Sequence, residues 1–216
     1  SHAEAHNVYG MQMARATREG WEAWRPAERP YVITRAGFAG VQRYAAHWTG
    51  DNESTWAHLR LTIPMLLGLG LSGLALTGPD TGGFAGEPDG ELLVRWTQLG
   101  AFCPFFRNHT ALNTPPQEPW AFGQPYEDLC RAAIELRYRL LPYVYTAAWQ
   151  CVQRGLPMAR PLALAYADDP ATHDLDDEFL WGDSLLVAPV LEPGATTRRV
   201  YLPAGAWYHS STAKRH

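Results

Sequence analysis

The sequence predicts an α/β fold, with a parallel sheet and helices outside it to about residue 155 and then the beginning of a β-rich domain. Three observations carry this expectation. Short extended runs alternate with helical patterns four times before residue 154, and each run ends in polar or glycine-rich text. After Leu156-Pro157 the helical texture gives way to short apolar runs separated by turns. Alternating strands and helices need crossover connections and therefore a parallel sheet, and polar residues at strand ends mark an active-site face. An open doubly wound sheet fits the same alternation, although no G-x-G-x-x-G loop supports a nucleotide role.

Taken in order, the spacing predicts a helix from Asn7 to about Trp24, closed by the Pro-containing turn Arg25 to Pro30. Tyr31-Val32-Ile33-Thr34 is the first strand and stops at Arg35-Ala36-Gly37. Arg43 to Trp48 is the second, ending at Gly50-Asp51. Ser54 to about Gly70 reads as a helix with a serine cap, apolar at Leu59, Ile63, Leu66 and Leu67 and perturbed at Pro64. Leu74 to Thr77 is a third strand, running into the loop Gly78-Pro79-Asp80-Thr81-Gly82-Gly83-Phe84. Glu91 to Gly100 is a short helix, and Phe102 to Phe106 a fourth strand before Arg107-Asn108-His109. A long helix follows from Tyr126 to Arg154, with Leu129, Ala133, Leu136, Leu140 and Val144 on one stripe, a kink at Pro142 and Gly155 closing it. The β-rich part contributes Leu162 to Tyr166, Phe179 to Trp181, Leu185 to Val190 and Arg198 to Leu202. The acidic run Asp168 to Glu178 is a solvated loop.

Composition narrows the function classes. With 216 residues and 46% hydrophobic content the chain can bury a sizeable core. A net charge of -4 with scattered Lys and Arg gives no basic footprint for nucleic acid. The apolar stretch Ile63 to Leu76 is broken by Pro64 and by glycines and is too short for a membrane span. Cys103, Cys130 and Cys151 match neither a disulfide framework nor a metal motif and read as buried thiols. No secretory leader opens the sequence, which leans toward a cytoplasmic compartment, although the first residues already read as the inside of a domain. Nine Trp and ten Tyr are mostly core material, but flat rings are also what pyranose faces stack against.

The most informative text is His47-Trp48-Thr49-Gly50-Asp51-Asn52. A carboxyl beside an indole in a tight turn suits general-acid chemistry on a sugar, because an apolar ring can raise the acid's pKa while Gly50 admits substrate to the backbone. Taken alone, Asp51 could equally cap a turn. Arg35 alone reads as a surface arginine and His109 as a loop histidine.

Together with Thr34-Arg35, the Arg43 to Asn52 segment, Asp80-Thr81-Gly82-Gly83-Phe84, Arg95 to Phe102, Arg107-Asn108-His109 and Arg137 to Tyr143, the sequence resembles glycoside hydrolase family 31, the α-glucosidase family. Further matching text lies at His6 to Gly10, Gln117-Glu118-Pro119, Arg160-Pro161-Leu162, Leu185 to Leu191 and Trp207-Tyr208, so the likeness runs from about residue 6 to 208. It implies a partial (β/α)8 TIM barrel, about strands 5 to 8, in residues 1–155, and the start of a C-terminal β-sandwich domain in 156–216. It implies Asp51 as general acid/base, Arg35 and His109 as ligands of the tightest sugar subsite, and Trp48 and Phe84 as pocket wall. Asp80 falls near the same subsite, to orient Arg35 or a sugar hydroxyl. No metal or organic cofactor is implied, and the partner is an α-linked glucoside or oligosaccharide.

A retaining enzyme needs a second carboxylate as nucleophile, ~5–5.5 Å from the first. The family carries it in a Trp-x-Asp-x-Asn-Glu type segment, and only Glu4, in unmatching text, precedes His6 here. The expectation is therefore an α-glucosidase portion that lacks its nucleophile and is inactive alone. An α-xylosidase-type member of the family, or a noncatalytic remnant that binds carbohydrate or nothing, are the alternatives.

Overall fold

The computed structural model describes residues 1–216. Its first part is built on four neighbouring parallel segments. Strand β1 (Ile33–Thr34) lies parallel to β2 (Ala46–His47), and β3 (Asp80–Thr81) parallel to β4 (Arg107–Asn108). The chain just before β3 joins the two pairs. Its Leu76 carbonyl accepts from His47 N at 3.0 Å, its Gly78 carbonyl from Thr49 N at 3.1 Å, and its Thr77 carbonyl from Phe105 N at 3.1 Å. The order β1, β2, β3, β4, with an α-helix after β2, β3 and β4 and only the three-residue helical turn Val41–Arg43 after β1, is a (β/α) series whose strand C-termini share one end.

Helix α1 (His2–Trp24) precedes β1 and starts five residues before the expected position. It buries only Met11 and Ala14, against Val41 and the flanking Val8, Val32 and Tyr44. Helix α2 (Trp56–Leu71) buries the expected Leu59, Ile63, Leu66 and Leu67 and runs through Pro64. Its cap is Thr55 rather than Ser54, because the Thr55 hydroxyl accepts from His58 N at 3.2 Å. Helix α3 (Gly90–Gly100) is capped by Asp89, whose carboxylate accepts from Leu92 N at 2.7 Å. Helix α4 (Tyr126–Arg154) continues unbroken through Pro142 and ends at Gly155, whose φ of 71° is the left-handed conformation glycine adopts most readily.

Two expected strands are displaced. Leu74 to Thr77 spreads its hydrogen bonds over two neighbours, so a regular ladder begins only beyond Pro79. Residues Phe102 to Phe106 instead leave α3 in a tight turn, because Arg137 of α4 takes the carbonyls of Ala101, Cys103 and Pro104 at 2.9, 2.7 and 3.2 Å. Those acceptors are then unavailable to a neighbouring strand.

The second part is a three-stranded antiparallel sheet, β5 (Ala159–Arg160), β6 (Phe179–Trp181) and β7 (Leu185–Val187). The expected strand at Leu162 to Tyr166 is instead a helical turn, α5 (Leu162–Ala165). Pro161 presets the entry, and Tyr166 N closes on the Leu162 carbonyl at 2.9 Å. Arg198 to Leu202 forms no strand either, since Tyr201 N gives its proton to the Glu178 carboxylate at 3.2 Å. Glu178 itself is buried beside Arg198, and Thr172 is buried within the run, so the acidic stretch is only partly solvated.

One core unites the two parts. Leu59, Ile63 and Leu66 of α2 and Trp96 and Leu99 of α3 pack with Phe179, Trp181 and Val187 of the sheet. Tyr143 of α4 adds a polar tie, donating to the Trp181 carbonyl at 2.6 Å and accepting from Ser184 N at 3.1 Å. Cys103 and Cys130 are buried as expected, and burial pushes the Cys103 thiol up to about 12. Cys151 is only half-buried, because it sits in the last turn of α4, where packing thins. Leu129 lies on the exposed side of α4 rather than in its stripe, where Cys130 takes the inward position.

Candidate active site

The site is assembled by laced loops at the C-terminal ends of the strands. After β2 the chain turns at Gly50 (φ +90°), which sets Asp51 at the loop tip. The Asn52 carbonyl then accepts from Phe84 N at 2.8 Å and Ala85 N at 3.0 Å, and the Ala85 carbonyl accepts from Ser54 N at 2.7 Å. The loops after β2 and β3 are thus one hydrogen-bonded unit. The loop after β4 joins through Ala111 N, which donates to the Phe84 carbonyl at 2.8 Å, and through Gln117. The buried Gln117 side-chain amide donates to the Gly83 carbonyl at 2.9 Å and the His109 carbonyl at 3.3 Å, while the Gln117 main-chain carbonyl accepts from the Asn108 side chain at 2.7 Å.

On this frame the six expected residues form three groups. Arg35, just past β1, places Nη1 at 3.3 Å from Asp51 Oδ2, and both side chains remain open to solvent. Phe84 and His109 stack with ring centroids 5.3 Å apart and planes tilted by 32°. Asp80 is fully buried and its Oδ1 accepts from both Nε (3.1 Å) and Nη2 of Arg107. The Arg107 guanidinium in turn lies over the Trp48 ring, 5.3 Å from its centroid. A guanidinium that is bonded at its edge can still stack by its face.

Two expectations are corrected here. Asp80 orients no Arg35. Its cation is Arg107, because the register of β3 against β4 sets Asp80 directly beside Arg107. The indole of Trp48 meets Arg107, whereas Asp51 has Arg35 as its partner and keeps an exposed side chain. Arg107 and Gln117 carry parts of the site that the sequence reading left without a role. The signal for Arg107 was its place two residues before His109, combined with the need of a buried aspartate for a cation.

Burial holds the Asp80 carboxyl above the usual carboxylate range. The Arg107 hydrogen bonds and charge and the nearby His109 pull it down, and the Asp51 charge pushes it up. These couplings place Asp51, His109 and Arg107 around one buried acid. Asp80 Oδ2 and Trp48 Nε1 are enclosed without a hydrogen-bond partner in the chain. A buried polar atom left unpaired costs about 1–3 kcal/mol, so such atoms concentrate where a ligand completes them. No group of three His, Cys, Asp or Glu side chains is arranged to hold a metal ion.

A cleft of about 620 Å³ lies elsewhere. It opens between β4 and α4, lined by Tyr31, Phe105, Phe106, Ile134, Tyr138 and Leu141 among others, and none of the six residues lines it.

A series of parallel strands with helices outside, and a charged, aromatic-walled cluster across their C-terminal ends, is the arrangement of part of a (β/α) barrel. Residues 1–147 match the glycosyl hydrolases family 31 TIM-barrel domain and residues 155–216 the glycosyl hydrolase family 31 C-terminal domain. The chain belongs to glycoside hydrolase family 31. It is 51% identical over 207 residues to Alpha-glucosidase 2 of Bacillus thermoamyloliquefaciens, covering 96% of this chain and 26% of that protein. The Tris-bound crystal structure of the glucosidase II alpha subunit superposes with a TM-score of 0.96 at 39% identity, over 100% of this chain and 24% of that one. A dextranase of the family from Flavobacterium johnsoniae, in complex with glucose, follows at TM-score 0.93 and 38% identity, over 100% of this chain and 28% of its own. The chain spans about a quarter of the length of the relatives it matches.

Proposed function

We propose that residues 1–216 supply the acid/base side of the catalytic site of a retaining α-glucosidase acting on α-linked gluco-oligosaccharides. Residues 1–155 form the barrel portion and 156–216 the beginning of the C-terminal domain. The observation that carries this reading is the convergence of the Arg35–Asp51 pair and the buried Asp80–Arg107 pair on one end of adjacent parallel strands. A sugar ring bound between them would meet two acid environments, one solvated and one buried.

In this reading Asp51 gives its proton to the glycosidic oxygen and then takes one from the water that hydrolyses the glycosyl-enzyme. The nucleophilic carboxylate comes from chain outside residues 1–216. Arg35 supports the Asp51 carboxylate once the proton has left and reaches sugar hydroxyls with its remaining donors. The free oxygen of Asp80 accepts from a sugar hydroxyl, while Trp48, Phe84 and His109 wall the ring and limit water. Relatives named as α-glucosidases and a dextranase favour α-linked glucose without fixing the linkage.

The test is a chimera in which residues 1–216 replace the matching region of Alpha-glucosidase 2. Asp51→Asn there should lower disaccharide turnover by about 10²–10⁴, with less loss on an activated aryl glucoside and recovery with azide. Unchanged disaccharide turnover would sink the assignment.

A further inference from the structure

Only Asn and Gln offer a neutral side-chain nitrogen with two donors, and such a group can tie two carbonyls of two different loops without burying a charge. Gln117 is used in this way. It is 2% exposed, and its Nε2 donates to the Gly83 carbonyl of the loop after β3 at 2.9 Å and to the His109 carbonyl of the loop after β4 at 3.3 Å. Its Oε1 lies against Gly82, where a β-carbon would come within 3.1 Å of it. The Asn108 side chain anchors the Gln117 main chain in turn, donating to the Gln117 carbonyl at 2.7 Å.

The two carbonyls it takes bear directly on the site. One belongs to the residue before Phe84 and the other to His109, whose rings lie 5.3 Å apart with planes tilted by 32°. The loops also meet at the Phe84 carbonyl, which accepts from Ala111 N at 2.8 Å and from Thr110 Oγ1 at 3.4 Å. Two attachment points fix the spacing and the relative rotation of the loops, whereas the Phe84 carbonyl alone would leave the ring pair free to hinge. Without the Gln117 amide, two enclosed carbonyls lose their donor, and turning them toward water carries Phe84 and His109 with them.

We propose that Gln117 is a positioning residue of the sugar site, the clamp that sets the distance between the Phe84 and His109 rings and with it the width of the pocket. This rests on the proposed function, in which those rings wall the bound sugar. Gln117 is buried and acts through the main chain of Gly83 and His109. A space-filling role predicts that an uncharged side chain of similar size and shape, such as Met, will serve in its place. A clamp predicts that Met fails for want of a donor. It also predicts that a carboxyl at this position works in part when protonated, as a single donor, and repels both carbonyls when ionised.

The experiment uses the chimera with Alpha-glucosidase 2, and measures maltose hydrolysis together with binding of the iminosugar 1-deoxynojirimycin by titration calorimetry. Gln117→Met should raise KM and lower kcat/KM by about 10- to 100-fold, the scale of a contact displaced by about 1 Å, and should weaken iminosugar binding in step. Tyr143→Phe, which loosens α4 from the C-terminal sheet, measures destabilisation alone and should leave KM and iminosugar affinity unchanged. Gln117→Glu should also be impaired at about pH 8, but its kcat/KM relative to the parent chimera should rise as pH falls toward about 5, while the ratio for Gln117→Met stays flat. Gln117→Met with the parent's KM and iminosugar affinity would overturn the clamp, and so would a flat ratio for Gln117→Glu. If Gln117→Met does not fold, the Gln117→Glu ratio decides, since both ends of the pH range are read on one sample. Unchanged turnover in Asp51→Asn beside weakened iminosugar binding in Gln117→Met would sink the acid/base reading and leave the clamp standing. Crippled turnover in Asp51→Asn beside a silent Gln117→Met would overturn the clamp alone.

Discussion

Arg107 donates both Nε and Nη2 to one oxygen of Asp80, a residue with no solvent exposure, from the adjacent position of the neighbouring strand. The pair is asymmetric, since Arg107 is partly exposed and Asp80 is not. Removing the arginine therefore strands a buried charge, and removing the carboxylate leaves a cation that water can reach. Arg107→Met should cost on the order of 3–5 kcal/mol of unfolding free energy. Asp80→Asn added to it should recover a large part of that loss. Urea titration of the two single variants and the double variant measures the coupling, and a double variant as unstable as Arg107→Met would refute the asymmetry.

Gly83 holds the loops after β2 and β3 together. Its φ is +91°, and a β-carbon there would lie 2.6 Å from the backbone N and Cα of Ser54. Strained backbone alone costs of order 1–3 kcal/mol, and the collision adds to it. Gly83→Ala should therefore destabilise the chain by more than about 2 kcal/mol. In the chimera it should also displace Phe84 and lower kcat/KM. Gly123, with φ +65° and open space around its β position, is the control, and Gly123→Ala should cost less.

These two sites show why part of the molecule was legible in the sequence and part was not. Asp51 stood out in the tight turn that ends the His47 to Asn52 segment, whereas Arg35 and His109, which alone read as a surface arginine and a loop histidine, were legible only through the resemblance to glycoside hydrolase family 31. The Asp80–Arg107 pair spans 27 positions and exists only through the β3 to β4 register, which no local spacing encodes. Strand positions failed for a related reason. Arg137 takes three carbonyls after α3, and Glu178 takes the Tyr201 amide, so side chains distant in sequence consume the groups that a ladder would have used. Helices α2 and α3 were read closely because their burial follows a local period.

The tie between α4 and the C-terminal sheet should be measurable at one oxygen. Tyr143→Phe removes the donor to the Trp181 carbonyl and the acceptor for Ser184 N while keeping the ring in place. Two hydrogen bonds at about 0.5–1.5 kcal/mol each predict a loss near 1–3 kcal/mol. Gly182 gives a second reading of the same contact, since a β-carbon there would lie 2.5 Å from the Tyr143 oxygen. Gly182→Ala should be destabilising in the Tyr143 background, and less so once Tyr143→Phe has removed that oxygen. Additive losses would show that the two residues do not meet.

His47 ends β2, immediately before Trp48, and gives the chain an acid-sensitive step. Burial depresses its imidazole below 6.5, a backbone hydrogen bond at Thr34 opposes that shift, and Nδ1 is enclosed without a partner. A depressed pKa means that the unfolded chain binds the proton more readily than the folded one. Stability from this group is therefore fully present above pH 6.5, the unperturbed value, and is lost as pH falls from there through the lower folded pKa. Replacing His47 with Gln removes the titration while keeping a polar side chain of similar reach. The midpoint of urea unfolding should then fall less steeply between about pH 7 and pH 5 than in the native chain, with the two curves differing most at the acid end. Parallel curves over that range would show that His47 takes up its proton equally well folded and unfolded, and that its burial beside the Asp51 loop carries no electrostatic cost.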